Sequence, residues 1–501
     1  MPVSYTRRKR LLAFTAFASV LVSLLFVWGP SPLKLPIPSH DTGNGIIPSD
    51  DVENAATTPN KIPTPISPWC EGDECSRGSW KPRSPPFTSL ADFQTAYANR
   101  QDGTWSRCPS VAPPDVIRTE EEQQRADEER IIDLNNWVWT PSSGKMKQWD
   151  PEAFLVRCLR SPGGVILIGD SISQQHFHSL GYSLRMADIE FDVDPPYLAK
   201  YNHKNVHQHV LKPGAQSTKR ILKRAGVPES RLKRPVITML EDHMLIHEED
   251  IRTITKRLGA PKVYTWYHDF QRVEDWETFV KNASTPRRGE EETVTEDTML
   301  VMNAGAHAMV KTRTEHAPTT VTETYRQMVR LITSRLSPIS RLSVHYRSTS
   351  PGHPNCGDHI EPYLNAADAE AAEQDVVERL IEPLESEDDR IGRKKWDWDL
   401  FQVHNHVWRR TTTRLQRERE AILKGSGISP YRSTGARWFY MDLWDQMLQR
   451  PDGHQRPNED CLHWCLPAVI EAWTHHIYHL LIMESERKER SQGLPTNESY
   501  P

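Results

Sequence analysis

Short, wholly apolar runs alternate with stretches of helical spacing along most of this chain. Val165-Ile166-Leu167-Ile168 has three β-branched residues in four and reads as a buried strand. Gly169 permits a sharp turn after it, and Phe177, Leu180 and Leu184 then recur at helical spacing. Thr298 to Val301 reads as a second buried strand and Arg341 to Tyr346 as a third, with Met328, Leu331, Ile332 and Arg335 marking a helix over 321–336 between them. Val407 to Leu423 reads as an amphipathic helix and Trp438 to Leu443 as a fourth strand. A last helix, Val469 to Met483, follows Pro467, a residue tolerated at a helix start. Strand, helix, strand in succession predicts an α/β fold with a mostly parallel sheet covered by helices.

The pattern breaks at both ends. Leu11 to Gly29 is apolar and uncharged, follows Arg7-Arg8-Lys9-Arg10, and is about long enough for a hydrocarbon core of ~30 Å. Residues 1–10 are thus expected to be a cytoplasmic tail and 11–29 an uncleaved signal anchor, with the rest of the chain in the lumen. A cleaved signal peptide is the rival reading, against which stand the length of the run and the lack of a clear small-x-small site before Pro30. Residues 30–69, rich in Pro, Ser, Thr and Asn, read as a disordered stem. A luminal domain is expected over 70–484, with 366–395 as an insertion and 485–501 as a disordered tail. Thr119 to Arg130 reads as a solvated helix face, and 282–297 as a surface loop. The formal net charge of -5 offers no basic field for nucleic acid. Asn282 and Asn497 head glycosylation sequons, which matter only if the domain is luminal.

A serine between a buried strand and a helix is placed for exposure as a nucleophile, with helix N–H groups near its oxyanion. Ser171 holds that place, although Asp170-Ser171 is also an ordinary helix cap. Near the other end, Asp460-Cys461-Leu462-His463 sets a carboxylate three residues before an imidazole, so that Asp460 can bond Nδ1–H and leave Nε2 for a serine proton. His176 and His178 lie too close to Ser171 on its own helix to serve it. His475 and His479 have i, i+4 spacing but read as a core-edge pair, and no metal is expected.

The blocks Trp137-Val138-Trp139-Thr140-Pro141, Gly169-Asp170-Ser171, Asn303-Ala304-Gly305-Ala306-His307, Arg347-Ser348-Thr349-Ser350-Pro351-Gly352-His353, Asp452-Gly453-His454 and Asp460-Cys461-Leu462-His463-Trp464-Cys465-Leu466-Pro467 occur in this order. Together they resemble the trichome-birefringence-like family and its fungal relatives, the PC-esterase branch of the GDSL/SGNH-like acyl-esterases. Two departures stand out: Ala468 replaces the glycine after Cys-Leu-Pro, and Ala308 replaces a tryptophan after the Asn303 block. No block matches between Asp188 and Thr295.

The resemblance implies an SGNH-hydrolase-like three-layer fold and a polysaccharide O-acetyltransferase of the Golgi membrane. Ser171 would carry the acetyl group, His463 would act as base and acid, and Asp460 would orient it. The Ser171 N–H and the Asn303 amide would hold the oxyanion, with Gly181 or Gly214 as a further donor. Asp170, His307, Arg347 and His353 would be substrate or supporting residues. The expected disulfides are Cys356–Cys461, Cys108–Cys465 and Cys75–Cys158, leaving Cys70 unpaired. No bound cofactor is implied. The acetyl donor, acetyl-CoA or an acetylated carrier, would be a substrate, supplied to the lumen by another membrane protein, and the acceptor a polysaccharide or oligosaccharide. Hydrolysis of acetyl esters on the same triad is the alternative, and a non-catalytic glycan-binding wall protein a further one.

Overall fold

The long buried runs pair side by side. The computed structural model describes residues 67–97, 108–113, 115–196, 198, 203–259, 272–305, 318–354, 356–381, 398–429, 434–457 and 459–492. A small two-stranded antiparallel sheet of β1 (Gly78–Pro82) and β2 (Trp137–Pro141) precedes the main sheet. The sheet comprises β3 (Val165–Gly169), β4 (Phe191–Val193), β5 (Val206–Leu211), β6 (Ile237–Glu241), β7 (Thr298–Met302), β8 (Leu342–Arg347) and β9 (Arg437–Met441), in the order β4-β5-β6-β3-β7-β8-β9. From β6 to β9 every pairing is parallel, whereas β4 and β5 run antiparallel. A hairpin, β10 (His454–Arg456) and β11 (Asp460–Trp464), follows the sheet.

Every residue of β3, β7 and β8 is buried, as expected for parallel strands covered on both faces. Alternate residues feed two cores. Val165, Leu167, Met299 and Val301 pack with Phe177 and Leu180 of α1 (Ser171–Arg185) and Trp473 of α4 (Ala468–Ser491). Ile166, Ile168, Leu300 and Met302 pack with Met328 and Ile332 of α2 (Pro318–Leu336) and Trp408 of α3 (Phe401–Gly425). The result is three layers, helix, sheet and helix, as an SGNH-like domain requires.

Several boundaries differ from the expectation. Folded structure begins within the proposed stem: Pro68 accepts the Lys145 N–H, and the Lys147 ammonium lies 4.0 Å from the Trp69 ring centroid. The last helix runs to Ser491, because Glu486 faces inward and pairs with Lys147 at 2.8 Å. The expected insertion opens as a helix, Ala366–Ile381, whose Ala369 belongs to the core; residues 382–395 lie outside the described ones. The stretch 282–297 is not wholly surface, since Glu290 is buried and pairs with Arg231 and Arg234. Asn282 is exposed in the last turn of a helix, Trp276–Ala283. Asn497, the run 11–29 and most of the stem lie outside the described residues. Among the described residues no helix is long and apolar enough to cross a membrane.

The disulfides are Cys70–Cys75, Cys108–Cys465 and Cys356–Cys461. The expected Cys75–Cys158 bridge does not form. Cys70 is bound beside Cys75 by its backbone bond to Lys145, whereas Cys158 is a thiol on the buried face of a helix, Pro151–Leu159. Burial pushes that thiol up to about 12. Because the thiolate is the nucleophile, iodoacetamide is expected to leave Cys158 unlabelled in the folded protein and to label it after unfolding, read by peptide mass.

Candidate active site

The parallel strands from β6 to β9 all end at one edge of the sheet, and the polar blocks of the sequence gather there. Gly169 ends β3 where the backbone passes close to β7: a Cβ there would come within 2.5 Å of the Asn303 carbonyl oxygen. Asp170 caps α1, its Oδ1 accepting the Ile172 N–H at 3.1 Å. The cap reading therefore holds for Asp170, while Ser171 is half-buried in the first turn. The Ser171 N–H finds no acceptor among the described residues, as expected for the first helical position.

His463 reaches this serine from β11. Its Nε2 is 2.7 Å from Ser171 Oγ, and its Nδ1 lies 3.0 and 2.9 Å from the two Asp460 oxygens. Asp460 Oδ1 also accepts the Leu462 and His463 N–H groups. Burial would raise the Asp460 carboxyl, but the bonds from the His463 ring and these N–H groups outweigh it and hold it well below the usual carboxylate range. Two residues 292 positions apart thus share one hydrogen bond.

The strand carrying His463 is tied at several points. Disulfides leave it at Cys461 and just beyond it at Cys465. His353 N–H donates to the Cys461 carbonyl, and His454 Nδ1 donates to that of His463 at 3.1 Å. His353 Nδ1 and His454 Nε2 are 2.7 Å apart, and burial holds the first near 4 and the second well below its ordinary value. Gln175 completes the attachment. Its amide donates to the Trp464 carbonyl at 2.8 Å and accepts the Trp464 N–H at 3.0 Å, joining β11 to the helix that begins with Ser171. Four residues after the serine, Gln175 reads in the sequence only as a polar helix position. The substitution Gln175→Ala is expected to cut the rate of acetyl-ester cleavage by ~10²-fold, the cost of a slight misplacement. Stopped-flow rates beside a thermal melt would check this.

Other expected site residues sit behind the edge rather than in it. Arg347 is buried, donates to His176 Nδ1 and Ser173 Oγ, and stacks 4.5 Å from the Trp473 ring. It supports the first turns of α1 and cannot meet substrate; burial lowers it to about 10, against the Asp170 charge. His353 is likewise buried. The Asn303 amide is committed, both hydrogens serving the Arg347 carbonyl and Thr349 Oγ1 at 3.2 Å, so it is not available to an oxyanion as expected. Neither glycine fits that role. Gly181 lies deep in α1 against the His209 ring. Gly214 follows β5 at the opposite edge of the sheet, since His209 registers with Ile237 at the start of β6. His307 lies outside the described residues. His479 accepts the Lys147 N–H and donates to the Cys70 carbonyl, which makes it a structural residue.

One feature of the edge carries no block in the sequence. Glu241 ends β6 in register with Gly169, and its carboxylate lies 3.5 Å from Gln174 Nε2 and 3.4 Å from His243 Nε2. No strand is among those expected from the sequence here, although Val236 to Leu240, apolar except for Thr238, carries that signal.

A mostly parallel α/β sheet with a serine, imidazole and carboxylate in line at its carboxyl edge has the layout of a serine acyl-ester enzyme. Residues 291–480 match the family model PC-Esterase, described as a GDSL/SGNH-like acyl-esterase family found in Pmr5 and Cas1p. The match spans β7 to α4 and includes Asp460 and His463; Ser171 lies before it and is brought in by the fold. Protein trichome birefringence-like 34 of Arabidopsis thaliana is 31% identical over 55 residues, which is 11% of this chain and 13% of that protein. Xyloglucan O-acetyltransferase 3 of Populus trichocarpa is 34% identical over 65 residues, 11% of this chain and 16% of that protein. The chain thus matches less than a fifth of either relative's length.

Proposed function

We propose that the protein is a polysaccharide O-acetyltransferase that works through an acetyl-serine. The observation that carries this reading is the unbroken line from Asp460 through His463 to Ser171 Oγ. His463 Nε2 takes the serine proton as Oγ attacks the acetyl carbonyl of the donor. The imidazolium then gives that proton to the departing oxygen or sulfur of the donor, leaving acetyl-Ser171. A sugar hydroxyl next surrenders its proton to Nε2 and attacks the acetyl carbon; as the acetyl–Oγ bond breaks, His463 returns that proton to Ser171 Oγ and the serine is restored. The Ser171 N–H supplies one oxyanion donor. The name of the Populus relative supports a glycan acceptor. The donor, acetyl-CoA or an acetylated carrier, would be a substrate.

One observation favours hydrolysis as a second reading: the His463 and Asp460 side chains are 24% and 18% exposed, so water can reach the acyl-enzyme. The test incubates the purified protein with an acetyl ester, with and without oligosaccharide, and separates the products. Acetylated sugar is expected, while acetate alone, whatever acceptor is present, would leave only the esterase.

The three disulfides suit an oxidising compartment. With the apolar run 11–29 they support a single-pass protein of the Golgi membrane whose catalytic domain faces the lumen. Protease added to sealed Golgi vesicles should spare the domain until detergent is present.

A further inference from the structure

The carboxyl ends of β3, β7, β8 and β9 stand level, because Ile168 registers with Met302, Met302 with Tyr346, and Tyr346 with Tyr440. Three strand spacings of ~4.8 Å separate the serine's strand from β9, about 14 Å along the edge. Ligands of open α/β sheets lie outside this edge, so a chain held over Ser171 has the end of β9 within its reach.

A cavity of about 120 Å³ opens there, lined in part by Gln402, Asn405, Arg409, Asp442, Trp444 and Asp445. Its groups are of the kind that hold hydroxyls. Arg409 is bound between Asp73 and Asp442. The Asp445 carboxyl makes no hydrogen bond or ion pair with any described residue, although it is half-buried. Burial, and then the nearby Asp442, push it up to about 6. Acids and arginines nearly balance, so the cavity offers no net field to a phosphate, a uronate or a metal cation. A sugar hydroxyl, with one donor and two acceptor sites, can use both signs at once, and the indole of Trp444 adds an apolar wall. The cavity is also joined to the site. The Asn405 amide brackets Thr349, accepting its N–H at 2.8 Å and donating to its carbonyl at 2.9 Å, and Thr349 Oγ1 accepts from Asn303 on β7's end.

We propose that this cavity is a distal subsite for the acceptor glycan, binding one uncharged sugar unit a few units away from the hydroxyl that receives the acetyl group. This rests on the acetyl-transfer reading, and the test separates the two. Transfer from a small acetyl ester to xylo- and cello-oligosaccharides, from disaccharide to hexasaccharide, is measured for the unaltered full chain and for Asp445→Asn. KM is expected to fall with acceptor length in the unaltered protein. For the longest acceptor, Asp445→Asn should raise KM about tenfold, the size of one lost hydrogen bond to a charged group, and the gain with length should disappear. Hydrolysis of the same ester without acceptor reports that the variant is folded. A KM independent of length in the unaltered protein, the same length dependence in both proteins, or use of no oligosaccharide would overturn the subsite. Ester cleavage that survives Ser171→Ala would instead overturn the acetyl-serine reading.

Discussion

Replacing Ser171 with Ala is expected to lower acetyl-ester cleavage and acetyl transfer by about 10³-fold or more while the protein stays folded. The loss is large because the hydroxyl is the only group placed 2.7 Å from His463 Nε2 among the described residues. With a methyl in its place, no atom can form the acyl intermediate. The fold should survive for local reasons. Alanine is the best helix former, Ser171 is only half-buried, and the Asp170 cap of α1 does not use the serine side chain. His463 loses one hydrogen bond, worth about 1 kcal/mol, but keeps both Asp460 contacts. Two measurements check this: initial rates with a small acetyl ester, and mass analysis for an acetyl adduct that is trapped in the unaltered protein and absent from the variant. An adduct on another residue, or a rate within tenfold of the unaltered protein, would assign the nucleophile elsewhere.

The parts of this site that were legible in the sequence are those whose chemistry is written in residue type. β3, β7 and β8 are buried on both faces, so their apolar runs stand out, and the polar blocks that follow them mark the edge. Asp460 and His463 share one strand, and their spacing alone lets them bond. Partners drawn from elsewhere were not legible. The Asn303 amide looked available because the Arg347 carbonyl and Thr349 that occupy it are 44 and 46 residues away. Cys158 looked like a bridge partner because sequence does not state depth. β4 and β5 were missed because β4 has only three residues and the middle of β5 is His207-Gln208-His209, three polar residues in a row. Gln175 shows the same limit in the other direction: a polar helix residue becomes part of the site only when β11 is folded against it.

The second large effect is expected at Asp460. The substitution Asp460→Asn should cost about 10⁴-fold in kcat, more than the loss of one hydrogen bond, because it changes which nitrogen carries the proton. Asp460 accepts from the ring at Nδ1, which leaves Nε2 without hydrogen and turned to Ser171 Oγ. An amide can donate to Nδ1 instead, and the hydrogen then sits on Nε2, where it blocks the serine proton. The pH dependence of stability separates this electronic role from a packing one. The folded carboxyl is held below its ordinary value: burial alone would raise it, and the bonds from His463 and the main chain overcome that. A group with a depressed value in the fold stabilises fully above its unfolded value, about 3.9, and its contribution is lost as pH falls through the folded value. The part of the stability gap between the unaltered protein and Asp460→Asn that comes from this carboxyl should therefore narrow as pH falls below about 4. Denaturant melts across that range, with kcat measured at neutral pH, give both numbers. A variant within tenfold of the unaltered kcat, or a stability gap that does not narrow below about pH 4, would mean that Asp460 merely shapes the β11 turn and that His463 is oriented by something else.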